Sequence, residues 1–212
     1  MKKLITLTAM LFTCIYTFGQ QPQKEREVQT EIVYDTIKEQ GKLDKNGKRT
    51  GKWKYYYQNR QLKALGKYKQ GKKEGKWKYY HDYGFLQNAG KYKNGEKTGK
   101  WKSYHENGQL WTISEYRNNT LNGKYRYYNE DGLLITIGEY DNGYPIGEWK
   151  RYYENGQLMM IVTLENDAQT GYWRKYYENG LLENSGKLEN DKATRKWSFY
   201  DQQGNLIQTE NY

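Results

Sequence analysis

The chain has 212 residues, a formal net charge of +10, and 17% aromatic residues, with Tyr used 24 times and Phe only 4. Leu, Ile, Val and Phe are too scarce for a thick two-layer core of this length, while the aromatics argue against disorder. A single cysteine, Cys14, excludes an intrachain disulfide framework.

Residues 1–19 stand apart. Lys2 and Lys3 precede an apolar run from Leu4 to Tyr16, and Thr17-Phe18-Gly19 places small residues at the −3 and −1 positions of a cut before Gln20. This reads as a secretory signal peptide, too short for a comfortable transmembrane helix, and predicts a periplasmic or secreted protein, or a cytoplasmic one where the signal is not used. Cys14 lies inside that run, and its approach, Leu11-Phe12-Thr13, is a poor one for a lipidated cysteine. Residues 20–40 form a polar linker in which Glu31 to Ile37 alternate weakly and suit one capping strand. Residues 41–50 resemble the second half of a repeat with one extra residue, as terminal repeats often do.

From Gly51 onward a 24-residue unit recurs. It reads GKWKYYYQNRQLKALGKYKQGKKE, then GKWKYYHDYGFLQNAGKYKNGEKT, and its Gly-x-aromatic start returns at Gly99, Gly123, Gly147 and Gly171, with Arg195 in the seventh copy. Counting from that first residue, position six is Tyr in every copy (Tyr56 to Tyr200) and position twelve is Leu (Leu62 to Leu206). Positions nine and ten carry turn pairs such as Asn107-Gly108, and positions twenty and twenty-one carry Asn94-Gly95, Asn142-Gly143 and, more loosely, Asn118-Asn119, Asn166-Asp167 and Asn190-Asp191. Both are read as two-residue hairpin turns with positive φ at each central residue. Two turns per repeat predict an all-β, elongated single-layer antiparallel β-meander of seven hairpin repeats. That is about fourteen strands plus a cap, a twisted ribbon roughly 65 Å long at ~4.8 Å per strand.

This register sets position three opposite sixteen and position one opposite eighteen. Trp53 then faces Gly66, Trp77 faces Gly90, Trp173 faces Gly186, and Gly51 and Gly75 face Tyr68 and Tyr92. In each pair a large ring is expected to cover the glycine opposite it, repairing the packing that glycine lacks. One face carries the Trp, the Leu of position twelve and the Tyr of position eighteen. The other carries the Tyr of position six and many lysines.

The pattern G-x-W-x-x-Y-x-x-N-G-x-L, followed by G-x-Y-x-N-G-x-x-x-G, resembles the variant MORN repeat over residues 41–212; bacterial chains built of it are often grouped as YwqK-like antitoxins. The resemblance implies β-hairpin sheets used for protein–protein contact, with phospholipid contact sometimes proposed. The antitoxin grouping implies direct binding of a cognate toxin, normally in the cytoplasm, from which the signal peptide departs.

No converging catalytic set is found. His81 and His105 sit at position seven of consecutive repeats, about 10 Å apart across two strands, too far to share a metal. Asp82, Glu106, Glu130, Glu154 and Glu178 are solvated charges before turns, and the periodic glycines do not form a phosphate-binding loop. No catalytic residue, cofactor or metal is expected, and the chain is read as a non-enzymatic binding scaffold. Two surface anomalies mark candidate sites. Residues 51–74 carry eight basic and one acidic residue and 75–98 carry five and two, so that the rest of the chain after residue 19 sums to −2. This basic end includes Lys52, Lys54, Lys67, Lys69, Lys72, Lys73, Lys76, Lys78, Lys91 and Lys93. It suits an anionic lipid surface, an acidic polysaccharide or an acidic protein; nucleic acid fits export poorly. The same lysines also serve plain solubility and protection from edge pairing. The second anomaly is an apolar stripe at positions thirteen and fifteen on the face carrying the position-six Tyr: Trp111 and Ile113, Ile135 and Ile137, Met159 and Ile161. Such a stripe is either covered within the chain or used by a protein partner or a second copy.

Overall fold

The computed structural model describes residues 39–165 and 168–212. The signal peptide expected over residues 1–19, the strand expected over Glu31–Ile37 and the turn expected at Asn166-Asp167 lie outside the described residues. All regular structure in the described part is β. The strands are β1 (Glu39–Leu43), β2 (Arg49–Tyr56), β3 (Leu62–Lys69), β4 (Lys72–Tyr80), β5 (Leu86–Lys93), β6 (Glu96–Tyr104), β7 (Leu110–Arg117), β8 (Thr120–Tyr128), β9 (Leu134–Asp141), β10 (Tyr144–Tyr152), β11 (Leu158–Glu165), β12 (Ala168–Gln169), β13 (Gly171–Tyr176), β14 (Leu182–Glu189), β15 (Lys192–Tyr200) and β16 (Leu206–Asn211). They form one open antiparallel sheet in sequence order, with the short β12 paired to β11 beside the main path. The expected meander of hairpin repeats is therefore the fold.

The two turns of the repeat are different devices. At positions twenty and twenty-one both residues are left-handed, as in Asn94 (φ 53°) and Gly95 (φ 92°), or Asn118 (49°) and Asn119 (67°). These are the expected two-residue turns. The turn at positions nine and ten is instead a three-residue loop in which only position ten is left-handed (Arg60 at 68°, Gly108 at 84°). It closes with Tyr57 N–H donating to the Gln61 carbonyl at 2.8 Å and Arg60 N–H to the Tyr57 carbonyl at 3.0 Å. Asn at position nine is selected for its side chain. Asn107 Oδ1 accepts from Gln109 N–H at 2.9 Å, and its Nδ2 donates to the Glu130 carbonyl of the next repeat at 2.7 Å. Residues 44–48 close with the same pair of bonds, Asp44 N–H to Lys48 and Gly47 N–H to Asp44. A three-residue loop thus replaces a two-residue turn there, which accounts for the extra residue of the first half-repeat.

Over positions one to five the cross-strand register is the expected one, with Trp53 opposite Gly66, Trp77 opposite Gly90 and Gly51 opposite Tyr68; beyond them it slips by one residue, so that Tyr56 meets Leu62 and Tyr80 meets Leu86. The ring contact is not the expected one. Five indoles lean over the preceding repeat: a Cβ at Gly66 would lie 2.1 Å from Trp77, and one at Gly41 2.2 Å from Trp53, with Trp101, Trp149 and Trp197 placed likewise. The cause is a bulge between repeats. Lys67 pairs with Glu74 and Leu65 with Lys78, so Gly75, Lys76 and Trp77 together span the place of Gly66 alone. Position-one glycines are not covered by a ring, since nothing lies within 4 Å of a Cβ built on Gly51 or Gly75; both take φ 69° inside the bulge.

The Trp face holds the core. Trp77 is 1% exposed and Trp197 0%. Tyr68, Tyr92 and their neighbouring indoles form an edge-to-face series, Trp53–Tyr68 at 5.8 Å, Tyr68–Trp77 at 5.1 Å, Trp77–Tyr92 at 6.0 Å and Tyr92–Trp101 at 5.1 Å. Contacts of this geometry contribute about 0.5–1.5 kcal/mol each beyond burial. Toward the C-terminus Leu164 and Leu188 replace the position-eighteen Tyr and are buried with Val162, Trp173 and Trp197.

Candidate functional site: the lysine face

Alternation places the residues flanking each buried Trp on the opposite face. Lys52 and Lys54 flank Trp53, Lys76 and Lys78 flank Trp77, and all four are exposed, as are Lys67, Lys69, Lys72, Lys91 and Lys93. The register then brings like charges together. Lys52 is directly opposite Lys67 and Lys76 directly opposite Lys91. The next two repeats hold acid at the equivalent place, Lys100 opposite Glu115 and Lys124 opposite Glu139. In the first of these the ammonium and carboxylate lie 3.9 Å apart. Like charges directly opposite destabilise a sheet, whereas opposite charges contribute roughly 0.2–1 kcal/mol. The N-terminal repeats therefore carry an electrostatic penalty that their neighbours avoid with one residue change.

Lys73 does not belong to this surface. Its ammonium lies 4.7 Å from the Trp77 ring, 5.2 Å from Tyr79 and 5.0 Å from Tyr92, and donates to Tyr79 Oη at 2.8 Å. Burial, with Lys97 nearby, pulls its pKa below the usual lysine range. Arg49 and Lys97 occupy the same place in their repeats, each 4.7 Å from an indole. The phenols around them are bonded in pairs, Tyr55 to Tyr68 at 2.9 Å and Tyr79 to Tyr92 at 3.0 Å, and burial raises the pKa of Tyr55 and Tyr79. These cations complete an aromatic layer. A count of lysines along the chain cannot separate Lys73 from Lys72; alternation does, since Lys73 lies directly opposite Tyr68 and four residues before Trp77.

The apolar stripe divides. Position thirteen falls where the hairpin register slips, between the Lys175–Asn184 and Tyr176–Leu182 pairs and their equivalents, and a bulge breaks alternation. Met159 packs against the core cluster of the Trp face, Ile135 is buried, and Trp111 lies 5.7 Å from His105. Ile113, Ile137 and Ile161 of position fifteen remain half-buried on the lysine face. There they sit between cations on both sides. Ile113 pairs with Lys102 and Arg126, Ile137 with Arg126 and Lys150, and Ile161 with Lys150 and Arg174. Leu65 likewise pairs with Lys54 and Lys78, and Ala89 with Lys78 and Lys102. Position four is basic in six successive repeats, a row that a search by local net charge passes over because acids elsewhere cancel it. Repeat-aligned reading of that one position reveals it.

The histidines serve the fold or sit at its edge. His105 Nε2 contacts the Tyr128 carbonyl of the next repeat at 2.9 Å, as the Tyr57 hydroxyl donates to the Tyr80 carbonyl at 2.7 Å. His81 stacks on Tyr83 with ring centroids 4.9 Å apart, in a loop that also exposes Phe85. Among the described residues no three of His, Cys, Asp and Glu come together to hold a metal.

An open antiparallel sheet of β-hairpin repeats with one aromatic and one basic face is the class that fold and surface define. Three of its repeats, residues 49–70, 97–118 and 145–166, match the family profile of the MORN repeat variant, to which the chain is similar there. No curated protein matches it. Among solved structures, a crystal structure of TcdB2-TccC3-TEV aligns over 77% of this chain at 12% identity, with a TM-score of 0.19. The chain spans 11% of that chain's length.

Proposed function

We propose that the protein is a non-enzymatic repeat scaffold that binds an anionic macromolecule through the lysine face of its N-terminal repeats. The observation that carries this reading is the pair of uncompensated contacts, Lys52 opposite Lys67 and Lys76 opposite Lys91, beside the compensated Lys100–Glu115 and Lys124–Glu139. The leader read in residues 1–19 is part of the same proposal and makes the ligand a component of the envelope or of the medium.

The test exchanges charge without disturbing the fold. In the full chain, Lys67→Glu with Lys91→Glu recreates the pairs found in the following repeats. The expected result is an unchanged stability, or one raised by about 0.2–1 kcal/mol per pair, with a marked drop in the salt needed to elute the protein from a polyanion resin. Lys192→Glu with Lys196→Glu makes the same net change on exposed residues of β15, at the far end of the sheet, and is the control. Equal loss in both variants, or no loss in the first with an intact fold, overturns the proposal. A second reading, docking of a protein, is favoured by the half-exposed Ile113, Ile137 and Ile161. It encompasses the toxin-neutralising role that the YwqK resemblance implies. Capture of a protein that survives the lysine variant and high salt but is lost in Ile137→Lys with Ile161→Lys identifies it.

A further inference from the structure

The basic row at position four outlasts the basic end of the chain. Beyond residue 98 the charges no longer favour the positive sign, yet Lys102, Arg126, Lys150 and Arg174 keep the place held by Lys54 and Lys78. Each is separated from the next by one strand bearing an uncharged residue of position fifteen, so the cations recur every second strand, about 9.6 Å apart. Their stems border those side chains, leaving an apolar gap between successive charges. Only at Lys150 does the row carry a close ion pair, with Glu148 at 2.6 Å.

We propose that this row is a track for a linear acidic polysaccharide lying across the strands, with one carboxylate on every second sugar. The inference rests on the lysine-face reading and specifies its ligand. Charge complementarity sets the sign, and the regular interval sets the polymer. The apolar gaps suit the C–H faces of the uncharged sugars. The shape of the sheet argues against a membrane as the occupant. At the rotation usual between neighbouring strands, roughly 20–25°, a path of fifteen strands turns through most of a circle, and a plane then touches only a few of them at once. A flexible chain follows the twist.

The experiment uses the full chain and size-defined oligomers of hyaluronate, whose carboxylates fall on every second sugar. Affinity is expected to rise at least about tenfold from oligomers spanning one cation to those spanning four, since each further contact becomes intramolecular. Lys102→Ser with Arg126→Ser is expected to erase that gain while lowering short-oligomer binding only by about a third, two of six equivalent cations being lost; Lys102→Gln alone, on an exposed side chain, halves the change in the row if the double variant loses its native tryptophan fluorescence. Length-independent affinity, or equal loss for short and long oligomers, overturns the track. Binding of phosphatidylglycerol vesicles that Lys67→Glu with Lys91→Glu abolishes, without any binding of hyaluronate, overturns the polysaccharide assignment and leaves the broader reading standing. Failure of every anionic probe overturns both.

Discussion

Gly66 and Trp77 show how single residues in this array are chosen across repeat boundaries. The indole occupies the volume where a Cβ of Gly66 would be, and Gly90 with Trp101, Gly138 with Trp149 and Gly186 with Trp197 repeat the contact at 2.1–2.2 Å. In the first six repeats position sixteen departs from glycine twice, and each departure has a matching change in the following repeat. Ser114 is followed by Tyr125 in place of Trp. Val162 is followed by Trp173, whose Nε1 donates forward to Asn184 Oδ1 at 2.7 Å, whereas Trp77 and Trp101 donate back to the Lys67 and Lys91 carbonyls. A Gly66→Ala substitution therefore meets the body of a buried ring. It is expected to destabilise the protein by about 1–3 kcal/mol despite the better strand propensity of alanine. Denaturant unfolding followed by tryptophan emission measures it, and a variant as stable as the parent refutes the assigned contact.

At the scale of the strand and turn, the bulge is the controlling feature. It needs a left-handed residue at position one, supplied by glycine in six repeats and by Arg195 (φ 60°) in the seventh. A non-glycine residue in that region costs about 1–2 kcal/mol. Arg195 is held there by mutual backbone bonds with Tyr212, at 3.0 and 3.2 Å. Arg195→Gly keeps both bonds and removes the penalty, so thermal unfolding should shift upward by the equivalent of about 1 kcal/mol; a lowered midpoint would show that the arginine side chain, not the backbone, holds the last hairpin. Lys73, opposite Tyr68 and ahead of the bulge, joins the aromatic layer by plain alternation. The slip within each hairpin takes Trp111, Ile135 and Met159 out of the row formed by Ile113, Ile137 and Ile161. That slip and the face of Lys73 account for the differences between the expected and observed binding faces.

The whole molecule is a one-dimensional array whose units are linked at both margins. Asn59 and Asn155 reach the next repeat's Asp82 and Glu178 carbonyls at one margin. Gly95 and Gly143 N–H groups reach back to the Lys73 and Leu121 carbonyls at the other. Each repeat thus contacts its neighbours, and stability accrues by units and interfaces. Deleting residues 99–122, one whole period, is expected to leave a cooperatively folding protein with a shallower denaturant dependence, because less surface is exposed on unfolding. Deleting 99–110 removes a strand and its loop and breaks the alternation of strand direction. Circular dichroism and denaturant melts distinguish the two; cooperative folding of the half-period deletion would contradict a repeat of two strands.

The sequence by itself determined the period, the two turns per unit, the antiparallel order and the cross-strand register over positions one to five, because these follow from spacing and from residues with special φ preferences. It also located the lysine-rich repeats, since charge is countable. Tertiary structure alone decided which neighbour the indoles cover and which half of the apolar stripe shares the basic face. Both depend on bulges. The bulge between hairpins sets three residues against one, which keeps the alternation but leans the indole on the preceding repeat; the slip within a hairpin adds a single residue at position thirteen and so changes the face of the side chains beyond it.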